Sequence, residues 1–428
     1  MEHLLAFIDA QDTGMCFSGK GWKTEAETLA GFGVHQRLES TKVQDAPSFC
    51  EAHADFIFCH ITYDVKNQLE ALTSRNEDHV GFPVFDFFVP QIVVNVQPDE
   101  VHLLYRAEAH SPTAVRALFE SIRTFQLRSK NESKQGLAFH RMDEERYHSD
   151  LRTLKQHIQR GNIYQGNYCQ EFHWEKVVLD PARFYQYGFD RMPNPFSVFY
   201  RTGEHALMSF SPESFLRFEG STVTSQPMKG TSPRHADPIV DEGNRKALET
   251  SEKDRRENVM IVDLVRNDLS HFAIPGSVQV PELYTIETYP KVHQMHSTVT
   301  AQIRPKIHPI HVLLKAFPMG SMTGAPKISA MQILDRLEHS RRGIYSGSVG
   351  FFTPEGNGHF NVVIRSLVYN ASTGYLSCHA GGGITDLSDP HEEYEESLVK
   401  ARPIFDLVDA HFAKNSSELP LADEAAAP

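Results

Sequence analysis

The sequence predicts a large α+β layered fold, and three observations lead there. Strand-like apolar runs and amphipathic helical stretches are interspersed without a regular βαβ rhythm, which disfavours a Rossmann or barrel architecture. The first 110 residues are strand-rich. The 428 residues show no internal repeat and no long linker, and they suffice for a large buried core.

Taken in order, Phe56-Ile57-Phe58 and the run from Gln91 to Val96 read as strands. Between them, Phe82 to Pro90 holds four phenylalanines and two prolines, which suits a packed loop or edge segment. A first helix is expected over 112–127, where Val115, Leu118, Phe119 and Ile122 share a face. A second is expected over 143–160, with Tyr147, Leu151, Leu154 and Ile158 at three- and four-residue spacing. Beyond 163, strands over 196–200, 206–209, 347–352, 360–367 and 375–379 alternate with helices over 241–268, 325–337 and 392–407. The polar, small-residue stretch 414–428 lacks an apolar period and reads as a disordered tail.

Composition narrows the partners. Lys plus Arg is 42 and Asp plus Glu is 55, a formal net charge of −13 with no basic block, which argues against nucleic acid and anionic membranes. No apolar stretch approaches a membrane span, and the N-terminus lacks the basic start of a signal peptide. Cys16, Cys50, Cys59, Cys169 and Cys378 lie far apart and are odd in number, so reduced thiols in a cytoplasmic protein are expected.

Four segments can carry chemistry. On a helix over 251–268, Glu257, Ile261, Leu264 and Asp268 form one stripe, placing carboxylates on an apolar face; alternatively Glu257 pairs with Arg256 or Arg266. Glu393 and Glu396 are neighbours on a helical face, a like-charge pair that a hard cation such as Mg²⁺ would relieve. The same acids could instead complement the helix dipole after Asp389-Pro390. Gly381, Gly382 and Gly383 follow a strand and could aim amides at an anion, or form a tight turn. Lys229, between Pro227-Met228 and Gly230-Thr231, is either a desolvated amine usable as nucleophile or base, or a lysine on a surface turn.

Together these segments resemble the chorismate-utilising enzymes. The resemblance rests on Ser211-Pro212-Glu213, Pro227-Met228-Lys229-Gly230-Thr231, Glu257-Asn258, Asp263–Asp268 and Thr323-Gly324-Ala325-Pro326-Lys327. Arg341–Gly347, Ile364-Arg365-Ser366 and the run 380–383 with its acidic helix extend it over about 140–412. It implies one large chorismate-binding domain of two packed antiparallel sheets flanked by helices, as in anthranilate synthase component I. In that scheme residues 1–139 are an N-terminal segment contributing strands to the same fold, and 140–413 form the catalytic core.

The resemblance also implies an activity. Gln165 stands where isochorismate and salicylate synthases use a lysine base, and Lys229 where anthranilate synthases typically have alanine. Both point to the aminodeoxychorismate synthase branch, in which the lysine attacks ring carbon 2 and ammonia then enters at carbon 4. By the same resemblance Glu213 is the general acid, Glu257, Glu393 and Glu396 hold Mg²⁺, and Tyr345, Arg365 and Gly381–Gly383 bind the substrate carboxylates. Thr323 lies near the reacting ring. Gln294 falls where many members have a histidine, with His293 one residue early, and a regulatory tryptophan pocket is not expected. No Gly-x-Cys-x-Gly turn is present, so the ammonia should come from a separate glutamine amidotransferase subunit. The competing readings are anthranilate synthase component I and a non-catalytic chorismate-binding subunit.

Overall fold

A computed structural model describes residues 1–22, 28–127, 133–289 and 292–416. Among them nineteen strands join into one pairing network, and every strand pairing is antiparallel. One arm runs from Gln279–Thr288 through Val292–Gln302, Thr222–Ser225, Ser214–Glu219, Gly358–Asn361 and Ser348–Phe352 to Ile57–Ile61. The other runs from Thr28–Arg37 through Thr13–Ser18, Phe196–Thr202, His205–Ser211, Ser366–Asn370 and Tyr375–Ile384 to Gln165–Glu175. The strand Phe85–Val96 joins the arms by pairing with Ile57–Ile61 and Thr28–Arg37.

The arms close on each other as two layers. Phe58 and Phe351 of one pack with Met15, Phe17, Val198, Tyr200 and Val368 of the other in a single buried cluster. Each such side chain contributes roughly 1.5–3 kcal/mol relative to exposure. Helices cover the outer faces. Ile261, Val262, Val265 and Leu269 of helix Glu252–Ser270 are buried with Ile310 and Leu313 of helix Pro309–Ala316. On the opposite side, Leu5 and Ile8 of helix Glu2–Asp9 pack with Phe184 and Tyr185 of Pro181–Arg191 and with Ile404 and Val408 of Pro390–Ser416.

Several elements depart from the sequence reading. Of the segment 82–90 only the start is packed loop, with Phe82 buried; from Phe85 onward it is interior strand. Pro90 is tolerated because, on one edge, it falls between the pairing of Phe85–Phe88 with 58–61 and that of Ile92–Val96 with 101–105. The single helix expected over 241–268 is two, Pro238–Thr250 and Glu252–Ser270. They break at Ser251, whose extended backbone and side chain cap the second through the Asp254 amide. The strand expected over 360–367 is interrupted, and Arg365 there has φ 53°. The last helix runs on to Ser416, so the stretch expected as tail begins helical; 417–428 lie outside the described residues.

Candidate active site

The glycine run is neither a turn nor a loop. Gly381, Gly382 and Gly383 lie within strand Tyr375–Ile384, opposite Cys169, Tyr168 and Asn167 of the neighbouring strand. Side chains are excluded here by crowding. A Cβ on Gly381 would sit 2.2 Å from the Tyr168 carbonyl oxygen, and one on Gly383 would sit 2.6 Å from both Lys229 Nζ and Gln165 Nε2. Gly382 faces the carboxylates of Glu393 and Glu396 and the Lys400 ammonium. The bare strand thus forms the floor of a cavity of about 490 Å³.

Lys229 reaches this cavity from strand Met228–Pro233. Its side chain is only 13% exposed and its Nζ is 3.7 Å from Glu257 Oε2, which decides against the surface turn. The alternative pairing of Glu257 is also settled, since Arg256 bonds Glu252 and Arg266 bonds Asp263. Glu257 is buried, and its Oε1 has no hydrogen-bond partner. Burial raises its carboxyl above the ordinary value, with Lys229 and Lys253 opposing.

Two further lysines accompany the acids. Lys253 Nζ lies 3.2 Å from Glu393 Oε1, and Lys400 Nζ lies 2.6 Å from Glu396 Oε1. Burial works against ionisation of Glu396, but Lys400, Lys229 and Lys253 together outweigh it and hold the carboxyl below its ordinary value. Glu257 and Glu396 line the cavity, while Glu393 sits beside it, buried and turned to Lys253. Lys253 stands one helical turn before Glu257, and Lys400 one turn after Glu396. That i, i+4 spacing is the sequence signal that could have found both.

Glu213 enters the cavity from the junction between strands His205–Ser211 and Ser214–Glu219. It is buried, and desolvation pushes its carboxyl up to about 7 despite the Ser321 hydroxyl and the Lys229 charge. Ser321 lines the same cavity. Thr323 does not: it is fully buried, and its hydroxyl donates to the Met319 carbonyl at 3.2 Å. The resemblance places Thr323 near the reacting ring, whereas the cavity lining holds Ser321, two residues earlier.

Tyr345 and Arg365 also line the cavity. Burial disfavours the bare Arg365 charge, and among the described residues no carboxylate forms an ion pair with it. A desolvated guanidinium without a counter-charge calls for a carboxylate-bearing ligand. Tyr345 is stacked on His379, with centroids 5.1 Å apart, and burial draws His379 down to about 4, keeping that wall uncharged. His379 was missed; only its place just before the glycine run hinted at it.

The histidine position resolves as well. Gln294 lines the cavity and donates from Nε2 to the Gly230 carbonyl at 2.6 Å, holding the lysine's strand. His293 faces away, 3.1 Å from Asp241 Oδ1. Gln165 is buried beneath Gly383 with its Oε1 unpartnered. Behind the cavity, buried Arg342 binds Glu338 and donates to the carbonyls of Met322 (2.7 Å) and Asn167 (2.6 Å), tying the wall segments together.

With this geometry in view, comparison with known proteins is direct. The family described as chorismate binding enzyme matches residues 4–406. The chain is 36% identical over 384 residues to aminodeoxychorismate synthase component 1 of Klebsiella aerogenes, covering 87% of this chain and 81% of that protein. It is 49% identical over 221 residues to an aminodeoxychorismate synthase of Streptomyces griseus, covering 51% of this chain but only 30% of that longer protein. The crystal structure of anthranilate synthase component I from Streptococcus pneumoniae TIGR4 superposes with a TM-score of 0.72 at 25% identity, covering 81% of this chain and 79% of that one.

Proposed function

Since the chain belongs to the chorismate binding enzyme family, we propose that it is the chorismate-aminating component of an aminodeoxychorismate synthase. It converts chorismate and ammonia to 4-amino-4-deoxychorismate and water. The observation that carries this reading is the presence of Lys229 Nζ inside the cavity that Glu213 also lines.

The amine of Lys229 attacks ring carbon 2. The two ring double bonds shift by one position each, and the bond from carbon 4 to its hydroxyl breaks. Glu213, held near half-protonated at neutral pH, gives its proton to the departing oxygen, so water leaves. Ammonia then bonds to carbon 4, the double bonds return, and the lysine departs as a free amine. The surplus proton on the new amino group restores Glu213. Two conjugate displacements accomplish what a direct exchange at carbon 4 would do less readily. Arg365 and Tyr345 bind the side-chain carboxylate, and Gly381 and Gly383, bare of side chains, let the ring lie against the strand.

The acidic side of the cavity fits Mg²⁺. Glu257, Glu393 and Glu396 would hold it: the set is all oxygen, and the buried Glu257 Oε1 lacks a partner. When bound, the ion supplies positive charge for the carboxylate on the ring.

Ammonia comes from a separate glutamine amidotransferase subunit. All five cysteines are buried, and burial pushes the thiols of Cys16, Cys169 and Cys378 up to about 12. None has the depressed pKa of a glutaminase nucleophile. Free thiols also suit a reducing, cytoplasmic setting, and no helix among the described residues is long and apolar enough to cross a membrane.

The test is incubation with chorismate, ammonium and Mg²⁺, with products resolved by chromatography. Wild type should yield aminodeoxychorismate rather than anthranilate, and Lys229→Ala should lose that product. Full product formation by Lys229→Ala would remove the covalent lysine, and anthranilate from wild type would remove the assignment.

A further inference from the structure

Away from the cavity, two helices bring three ligand-type side chains together. Glu144 and His148 are one turn apart on helix Glu144–Gln159, and His391 lies in the first turn of Pro390–Ser416. One ligand atom from each falls within 4.8 Å of the others. Glu144 Oε1 is 3.2 Å from His391 Nδ1 and 3.6 Å from His148 Nε2. A tetrahedral ion with bonds near 2.0–2.1 Å places its ligand atoms about 3.4 Å apart, so these separations match two edges of such a site.

The burial of the nitrogen adds to those distances. His148 Nε2 is buried and makes no hydrogen bond. Its ring meets that of Tyr394 edge-on, with centroids 6.1 Å apart. An unbonded imidazole nitrogen turned toward a carboxylate and a second imidazole is suited to a cation that prefers nitrogen.

We infer that Glu144, His148 and His391 form a binding site for a divalent transition metal, with Zn²⁺ the best match to two imidazoles and one carboxylate. Mg²⁺ and Ca²⁺ prefer oxygen ligands, so this site is chemically distinct from the glutamates of the cavity. Three protein ligands leave one position for water, which makes the ion exchangeable rather than a structural cross-link. Its place gives it a consequence. Tyr147, beside His148, donates to the Glu393 carbonyl at 3.2 Å, so an ion here fastens the first turn of the helix that carries Glu393 and Glu396. The inference stands whether or not the proposed reaction is correct.

The test is titration of the chelator-treated full chain with Zn²⁺ in a buffer of excess Mg²⁺, which competes for oxygen-only sites, followed by calorimetry. Co²⁺ in place of Zn²⁺ gives a visible absorption readout of tetrahedral coordination. One Zn²⁺ per chain is expected. His148→Ala and His391→Ala should each weaken it at least about tenfold, as loss of even an outer-shell partner does at metal sites. Glu257→Gln should leave it unchanged. His391 is exposed, so its variant keeps the test valid even where removal of His148 disturbs the helix contact. Wild-type affinity in His391→Ala, or no Zn²⁺ uptake by the wild-type chain, would overturn the site.

Discussion

Replacing Glu213 with glutamine tests the acid role, with a magnitude that can be worked from the structure. Burial raises this carboxyl from 4.5 to about 7. At pH 7 a carboxyl of ordinary value is about 0.3% protonated, whereas Glu213 is about half protonated, a gain of more than a hundredfold in available acid. Turnover per unit of free ammonia should therefore fall about tenfold per pH unit above 7, and Glu213→Gln should lose roughly 10²- to 10⁴-fold with that limb abolished. Chromatographic rates of aminodeoxychorismate formation give both. The same shift acts on stability. The folded value lies above the unfolded one, so the stabilisation is complete below pH 4.5 and lost as the pH rises through 7. The term amounts to about 3 kcal/mol, so denaturant melts should show Glu213→Gln gaining on wild type by up to that amount between pH 4.5 and 8. A variant with wild-type turnover refutes the acid role, and melts that stay parallel across the range refute the raised pKa.

Two other substitutions separate positioning from folding. Gly383→Ala places a methyl against the mobile ends of Lys229 and Gln165, so turnover should drop at least about tenfold while the melt stays near wild type. Gly381→Ala meets the Tyr168 carbonyl instead and should lower the melt itself. Arg342→Ala strands the buried Glu338 carboxylate and should cost about 3–5 kcal/mol in denaturant melts, part of which the Glu338→Ala double variant recovers.

Much of the site could be read from residue types because its chemistry is spelled out in short, ordered motifs. Glu213, Lys229, Glu257, Arg365 and Glu396 are far apart in the chain, yet all line one cavity. Helix faces were equally readable, since 3.6-residue periodicity survives in Glu144–Gln159 and Glu252–Ser270. What escaped was set by tertiary packing. Nothing local distinguishes a glycine run that turns from one kept bare because a neighbouring carbonyl stands 2.2 Å from its missing Cβ. The rotation of Thr323 into the backbone and the choice of Ser321 as wall hydroxyl depend on a single turn of 3₁₀ helix, Gly320–Met322. Ser251 broke a helix whose apolar pattern carries on across it, because a cap overrides periodicity at one residue.

The pairing of Ile57–Ile61 with Ser348–Phe352 has a consequence for how the chain is made. The partner of this strand is synthesised almost 300 residues later, and the segment between them carries most of the candidate catalytic motifs. The first layer cannot close during synthesis until residue 348 and beyond have emerged, so the early strand waits with one edge unpaired. Long-range closure of this kind slows folding and leaves edges open to other chains. The strand Phe85–Val96 covers only its other edge, so the edge destined for Ser348–Phe352 stays open until that strand arrives.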